Sequence, residues 1–176
     1  MKYHQLKLCG LKRELPIVAL GPKLKIASFN LLGDSELVQV LAKEMAKRLK
    51  KIEFDILVGP EVKVVPLLQE LSRLLKHRRY VILRKSIKGY MVKPVSTDSK
   101  PNLVLSGSDF DYLKNKKVVI VDDVVSTGRT IEVVNSLLFQ AKAKTVAIFT
   151  ALKQGDPPLS FSTPFFYLGK IPLFRR

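Results

Sequence analysis

Apolar positions along the chain fall into short blocks whose spacing switches repeatedly between the strand and helix periods. Tyr3 to Val18 reads as two short strands around Cys9-Gly10, a hairpin-like entry with imperfect alternation. Leu24 to Phe29 predicts another strand. Asp34 or Ser35 then offers an N-cap for a helix over Glu36 to Lys50, with Leu37, Val40, Leu41, Met45 and Leu49 on one face. Phe54 to Gly59 is a compact apolar strand. The segment VPLLQELSRLLK predicts a second helix with Leu67, Leu68, Leu71, Leu74 and Leu75 as its buried stripe. Tyr80 to Lys85 reads as a strand. From Ser86 to about Pro101 the apolar pattern fails, and a loop of that length points to a functional lid. Asn102 to Leu105 returns as a strand and DYLKN as a short helical turn. A strand over Val118 to Val121, a helix over Thr130 to Gln140 and a strand over Thr145 to Leu152 follow. The apolar tail FFYLGKIPLF should pack back onto the rest.

Strands alternating with helices predict an α/β fold, a doubly wound parallel sheet that binds ligands at the carboxyl ends of its strands. Composition changes this picture little. At 176 residues the chain is long enough to bury a core, and 47% of its residues are hydrophobic. Apolar runs are strand-sized, which excludes a membrane-spanning helix, and the first residues lack the apolar stretch of a signal peptide. One cysteine, Cys9, forms neither an internal disulfide nor a thiolate metal site, so a cytoplasmic setting is expected.

Charge adds more. Lys and Arg number 31 against 15 Asp and Glu, a net of +16. Such a surface attracts polyanions or a small phosphorylated substrate. The basic residues are spread along the chain, denser at Lys76 to Tyr80 and Leu83 to Lys88. A solvated lysine-rich surface accounts for most of this, and nucleic-acid binding is not the primary expectation.

The candidate chemistry sits in VVIVDDVVSTGRT, Val118 to Thr130. A central strand buried on both faces is uniformly apolar. Asp122 and Asp123 should then emerge at its carboxyl edge. Ser126, Thr127, Gly128, Arg129 and Thr130 lead into a helix N-terminus, where backbone N–H groups and hydroxyls can converge on one anion. Two carboxylates would repel a bare phosphate but accept hydrogen bonds from vicinal sugar hydroxyls. Together these residues describe a site for a ribose carrying a 5′-phosphate. Walker A and dinucleotide fingerprints are absent from the chain.

This segment resembles the PRPP-binding motif of the type I phosphoribosyltransferases, closest to adenine phosphoribosyltransferase-like proteins. The resemblance covers roughly Lys25 to Leu152. It implies one domain over residues 1–176, with a core of about 25–152 and a small hood from the N- and C-terminal segments. FDILVGPEVKVVPL resembles the family's pyrophosphate loop, where Glu-x-Arg-Gly is usual. Here Glu61, Val62 and Lys63 would bind pyrophosphate, with lysine replacing arginine and Val64 replacing glycine. Gly59-Pro60 is a candidate cis peptide. ILRKSIKGYM resembles the opening of the flexible catalytic loop, so Arg84, Lys85 and Lys88 would meet pyrophosphate and residues 86–101 would close over the reaction. Ile26, Phe29 and Val124 are the candidate base contacts.

The resemblance implies transfer of 5-phosphoribosyl from PRPP to a nucleobase, most simply a purine, with release of pyrophosphate. Asp122, Asp123, Lys85 and Lys88 are the catalytic candidates. Mg²⁺ would be held mainly through PRPP and pyrophosphate oxygens, with no dedicated protein ligand. A homodimer is implied by the resemblance as well. Two alternatives stay open: a pyrimidine acceptor such as orotate, and a non-catalytic PRPP-sensing regulator with a basic nucleic-acid-binding surface.

Overall fold

A computed structural model describes residues 2–175. The elements run β1 (Tyr3–Leu8), β2 (Leu11–Gly21), β3 (Leu24–Ala27), α1 (Ser35–Leu49), β4 (Ile56–Pro60), α2 (Val65–Leu75) and β5 (Tyr80–Leu83). They continue with β6 (Val95–Ser96), β7 (Val104–Leu105), α3 (Gly107–Tyr112), β8 (Lys117–Val125), α4 (Arg129–Gln140), β9 (Lys144–Gln154), β10 (Phe165–Ile171) and β11 (Leu173–Arg175). Five strands form one sheet in the order β10-β9-β8-β4-β5, every adjacent pair parallel. The expected doubly wound α/β architecture is therefore present, with β8 in the middle.

Alternate residues of the central strands feed two separate cores. Leu57, Val119, Val121 and Phe149 pack with α1 and α2 on one face. Ile56, Val58, Val118, Ile120 and Ile148 pack with α4 on the other. Burial on both faces is why these strands read as continuous apolar runs. On α1 the stripe is Leu37, Val38, Leu41, Met45 and Leu49. Val40, expected in it, is half-buried, one position off the contact line. Leu74 and Leu75 are likewise only half-buried at the end of α2.

The termini build the hood, a second sheet in the order β1-β2-β3-β11. Its hairpin turns through Cys9 and Gly10, both left-handed at φ +50° and +85°, the geometry that a two-residue primed turn requires. The tail does more than pack. β10 extends the parallel sheet beside β9, and β11 crosses to pair antiparallel with β3. The loop expected over 86–101 also carries structure, since Val95 and Ser96 pair with Leu105 and Val104.

One cluster ties the hood to the core. Asp34 caps α1 by accepting from the Leu37 N–H at 3.0 Å. The same carboxylate accepts from Arg13 of β2 through Nε at 2.6 Å and Nη2 at 3.0 Å, and Arg13 reaches Glu36 at 2.7 Å. Arg13, with the Leu37 amide, holds the Asp34 carboxyl below the ordinary carboxylate range. Asp34→Ala removes a cap and one arm of this fork. The pair is about a quarter exposed, so solvent screens much of its charge, and the cap dominates. The expected loss is about 1–2 kcal/mol in urea unfolding; a loss below a few tenths would show that the cap carries no stability.

Candidate active site

The sheet carries the site at the carboxyl ends of β4 and β8. These strands approach closely because residue 59 is glycine: a Cβ there would lie 2.5 Å from the Val121 carbonyl oxygen. The β4 end delivers Pro60 to Val64 and the β8 end delivers Asp122 to Val125. The two loops face one cleft of about 430 Å³. A smaller niche of about 130 Å³ adjoins it, lined by Asp122 and by residues 124–131.

β8 does not end where its apolar run ends. Its ladder to β9 continues past Val121 through Asp122↔Thr150, Val124↔Leu152 and Val125↔Lys153. Asp122 is thereby drawn into the interior and is only 7% exposed, whereas Asp123 is half-buried at the cleft wall. One Asp122 oxygen accepts from the Asp123 N–H at 2.8 Å. Burial, and after it the neighbouring Asp123 carboxylate, pushes the Asp122 pKa well above the ordinary carboxylate range. The Asp123 amide and the charge on Lys85 act in the opposite direction and do not offset it.

The niche is the N-terminal end of α4. Gly128 caps the helix at φ +82°, and its vacant Cβ position is closed over by Leu159 and Phe161 at 3.1–3.2 Å. Gly128 brings no side-chain cap, and apart from a long 3.5 Å approach of the Arg129 N–H to Thr127 Oγ1 the first-turn amides remain available to an anion. Ser126, Thr127, Gly128, Arg129 and Thr130 all line this niche, and Ser126 and Thr130 face the larger cleft as well. The Arg129 side chain turns elsewhere. Its Nε donates to the Lys100 carbonyl at 2.9 Å and so fastens the far end of the 86–101 segment to the head of α4.

The pyrophosphate candidates divide. Val62, Lys63 and Lys85 line the cleft, as does Glu61. Lys63 Nζ donates across the cleft to the Phe29 carbonyl at 3.0 Å. Glu61 is already engaged: one oxygen accepts from the Lys85 N–H at 2.6 Å and the other pairs with Arg84 Nε at 2.6 Å. Its carboxylate thus fastens the start of the 86–101 segment to the β4 loop. Arg84 and Lys88 do not line the cleft; Lys88 Nζ donates to Ser86 Oγ at 2.8 Å. The cis peptide in this loop lies between Glu61 and Val62, not at Gly59-Pro60, and a second joins Lys100 and Pro101.

Of the base candidates, Ile26 and Val124 are half-buried in the cleft wall. Phe29 also lines it, but the residue is 3% exposed and belongs to the core cluster, so its ring is no free stacking surface. Pattern reading missed Ala27, Ser28, Pro101, Leu103, Gln154 and Ile171, all of which line the same cleft. None left a distinct trace in the sequence: the strand read over Thr145 to Leu152 stops short of Gln154, which β9 in fact includes. Among the described residues no three His, Cys, Asp or Glu side chains converge as a metal cage, and no helix is long and apolar enough to cross a membrane.

A parallel sheet whose middle strand delivers two acids and an anion niche to one cleft is an α/β arrangement that can take a phosphorylated, hydroxyl-bearing ligand. The model of the phosphoribosyl transferase domain matches residues 30–164, and the chain belongs to that family. Its relatives include a hypoxanthine/guanine phosphoribosyltransferase of a Methanocaldococcus species, 36% identical over 124 residues, 66% of this chain and 61% of that protein. The orotate phosphoribosyltransferase of Thermotoga maritima is 30% identical over 139 residues, 76% of this chain and 64% of that one. The first curated relatives are matched over 63–67% of their length, so the chain spans about two thirds of them. The fold superposes on the adenine phosphoribosyltransferase of Thermoanaerobacter pseudethanolicus with a TM-score of 0.73, at 23% identity over 89% of this chain and 95% of that one.

The buried acid has a cost that pH exposes. A carboxyl whose pKa is raised on folding destabilises the fold as pH climbs above its unfolded value, because ionisation is harder in the folded state. Asp122→Asn removes that cost. The variant should melt higher than the wild type at pH 8 by about 2–4 °C for each kcal/mol recovered, with a smaller gain at pH 5. Equal gains at both values, or a loss at pH 8, would contradict the assignment.

Proposed function

We propose that this protein transfers the 5-phosphoribosyl group of PRPP to a nucleobase, most simply a purine in the adenine-type manner, and releases pyrophosphate. The observation that carries this reading is the run from Asp122 to Thr130, in which a sugar-binding acid pair and an anion niche follow each other at one strand end. Asp123, with Asp122 behind it, accepts hydrogen bonds from the ribose hydroxyls. Ser126, Thr127 and the first amides of α4 at Gly128, Arg129 and Thr130 hold the 5′-phosphate.

The transition state of such a transfer resembles an oxocarbenium ion, and stabilising the departing pyrophosphate is the main demand on the protein. Lys63 and Lys85 meet that charge from the cleft wall, beside the backbone of Val62. Arg84 and Lys88 join them as the 86–101 segment closes and excludes water. Glu61 acts through Arg84 and Lys85 as a positioning group. Mg²⁺ would be held mainly by PRPP and pyrophosphate oxygens beside the Asp122–Asp123 pair, which suits a cleft with no carboxylate cage among the described residues. When bound it would neutralise pyrophosphate charge.

The acceptor is a neutral purine. The relative with 36% identity is a hypoxanthine/guanine enzyme, and the hood side of the cleft (Ile26, Ala27, Ser28, Phe29, Gln154 and Ile171) carries no charged residue. A second reading, orotate as acceptor, is favoured by several relatives of 21–30% identity that act on orotate by name. The likeness to family members also suggests a homodimer, which sedimentation would establish.

Pyrophosphate release from PRPP and Mg²⁺ should be followed with adenine, hypoxanthine, guanine, xanthine, uracil and orotate in turn. Turnover with a purine is expected; tight PRPP binding with no turnover on any base would instead make the protein a sensor of PRPP. Asp123→Ala should weaken PRPP binding by about 10- to 100-fold or more, the worth of hydrogen bonds to a charged group. Unchanged binding in calorimetry would overturn the placement of the ribose.

A further inference from the structure

Gln154 ends β9 in the wall of the cleft, on the hood side, and is 7% exposed. It is held rigidly. Its backbone pairs with Ile171 of β10, and the next residue, Gly155, donates its N–H to the Ile171 carbonyl at 2.9 Å. Gly155 turns at φ +66° directly beneath Leu173, where a Cβ would meet Leu173 Cδ1 at 2.6 Å. Leu173 in turn pairs with Ile26 in the hood sheet, so Gln154 and Ile26 belong to one continuous wall.

The Gln154 carboxamide makes no hydrogen bond to protein among the described residues, and neither of its polar atoms is shut away from solvent, so both open on the cleft that the residue lines. An amide whose backbone is held rigidly and whose polar atoms open on a cleft is pre-placed to meet a ligand. We infer that Gln154 reads the edge of the acceptor base and selects neutral bases that present an adjacent donor and acceptor over bases that carry a carboxylate.

The chemistry follows from the group. A primary amide offers one donor face and one acceptor face, which match two neighbouring atoms of a purine edge, as glutamine does with adenine in nucleic-acid recognition. A carboxylate accepts only; against an amide it satisfies the N–H and meets the carbonyl oxygen with like polarity. Lys63 and Lys85 are the cations that line the cleft, Lys63 already bonded to the Phe29 carbonyl and Lys85 beside Asp122 at the strand ends. Lys63 reaches residues 26–29 only through the Phe29 carbonyl to which it already donates, and Ile26, Ala27, Ser28, Gln154 and Ile171 contribute no charged side chain to the cleft. Ile26 and Ile171 supply apolar surface for the ring.

This inference rests on the reading of Asp123 and residues 126–130 as the ribose 5-phosphate site, and two measurements separate them. Ribose 5-phosphate is titrated by calorimetry into the wild type, Gln154→Leu and Gln154→Arg. Steady-state rates are then measured with PRPP, Mg²⁺ and adenine, hypoxanthine, guanine, uracil or orotate. Ribose 5-phosphate should bind all three proteins with the same affinity within about two-fold, which also shows that the variants fold. Gln154→Leu should lower kcat/KM for the preferred purine by about 10- to 100-fold, the worth of one or two hydrogen bonds left unmade, with KM for PRPP unchanged. Gln154→Arg should raise the ratio of orotate to purine turnover by at least about ten-fold. A Gln154→Leu variant that keeps its rate with every base would overturn the role of Gln154 alone, and a wild-type preference for orotate would overturn it together with the purine acceptor. Failure of the wild type to bind ribose 5-phosphate would overturn both readings together.

Discussion

The structure depends on one backbone ladder. β8 stays paired to β9 beyond its last valine, and the hydrogen bonds of that pairing carry Asp122 into the interior. A carboxylate in such a place resists ionisation, and the strand accepts that cost so that Asp123 stands fixed at the cleft wall and Ser126 to Thr130 follow without slack. Gly59 makes the arrangement possible from the other side. Any larger residue would push β4 away from β8 and separate the two loops that must face one ligand.

Around this ladder the cleft is divided by charge. The strand ends supply Glu61, Lys63, Lys85, Asp122 and Asp123, while the hood contributes a neutral wall. That division suits a donor with a polyanionic leaving group on one side and an uncharged acceptor on the other. Two contacts fasten the 86–101 segment to the frame: Glu61 holds its entry at Arg84 and Lys85, and Arg129 holds its exit at Lys100. Both belong to residues that a motif comparison would place on the ligand itself, and both act here through protein groups.

Much of this was legible in the residue order. Four apolar residues, two acids and a Ser-Thr-Gly turn carry strand, paired acids at its end and helix cap in sequence, because each is a local consequence of backbone geometry. The helix stripes were legible for the same reason, except that Val38 takes the place of Val40 on α1 and Leu74 and Leu75 are only half-buried on α2. Long-range choices were not. Nothing in the chain announces that β10 would extend the sheet, since Phe165 to Gly169 are only half-buried and lack a clear alternation. Phe29 reads equally well as a stacking ring or a core residue, and packing against α1 and its neighbours decided for the core. Gln154 becomes meaningful only when β9, β10 and the hood enclose it.

The central claim is that residues 122–130 form one sugar-phosphate site. It is tested most directly by amide chemical shifts in ¹⁵N-labelled protein during titration with ribose 5-phosphate. The account predicts the largest saturable shifts at Asp123 and Ser126 to Thr130, with the hood residues 24–27 nearly unmoved. Shifts centred elsewhere, or none at saturating ligand, would contradict it.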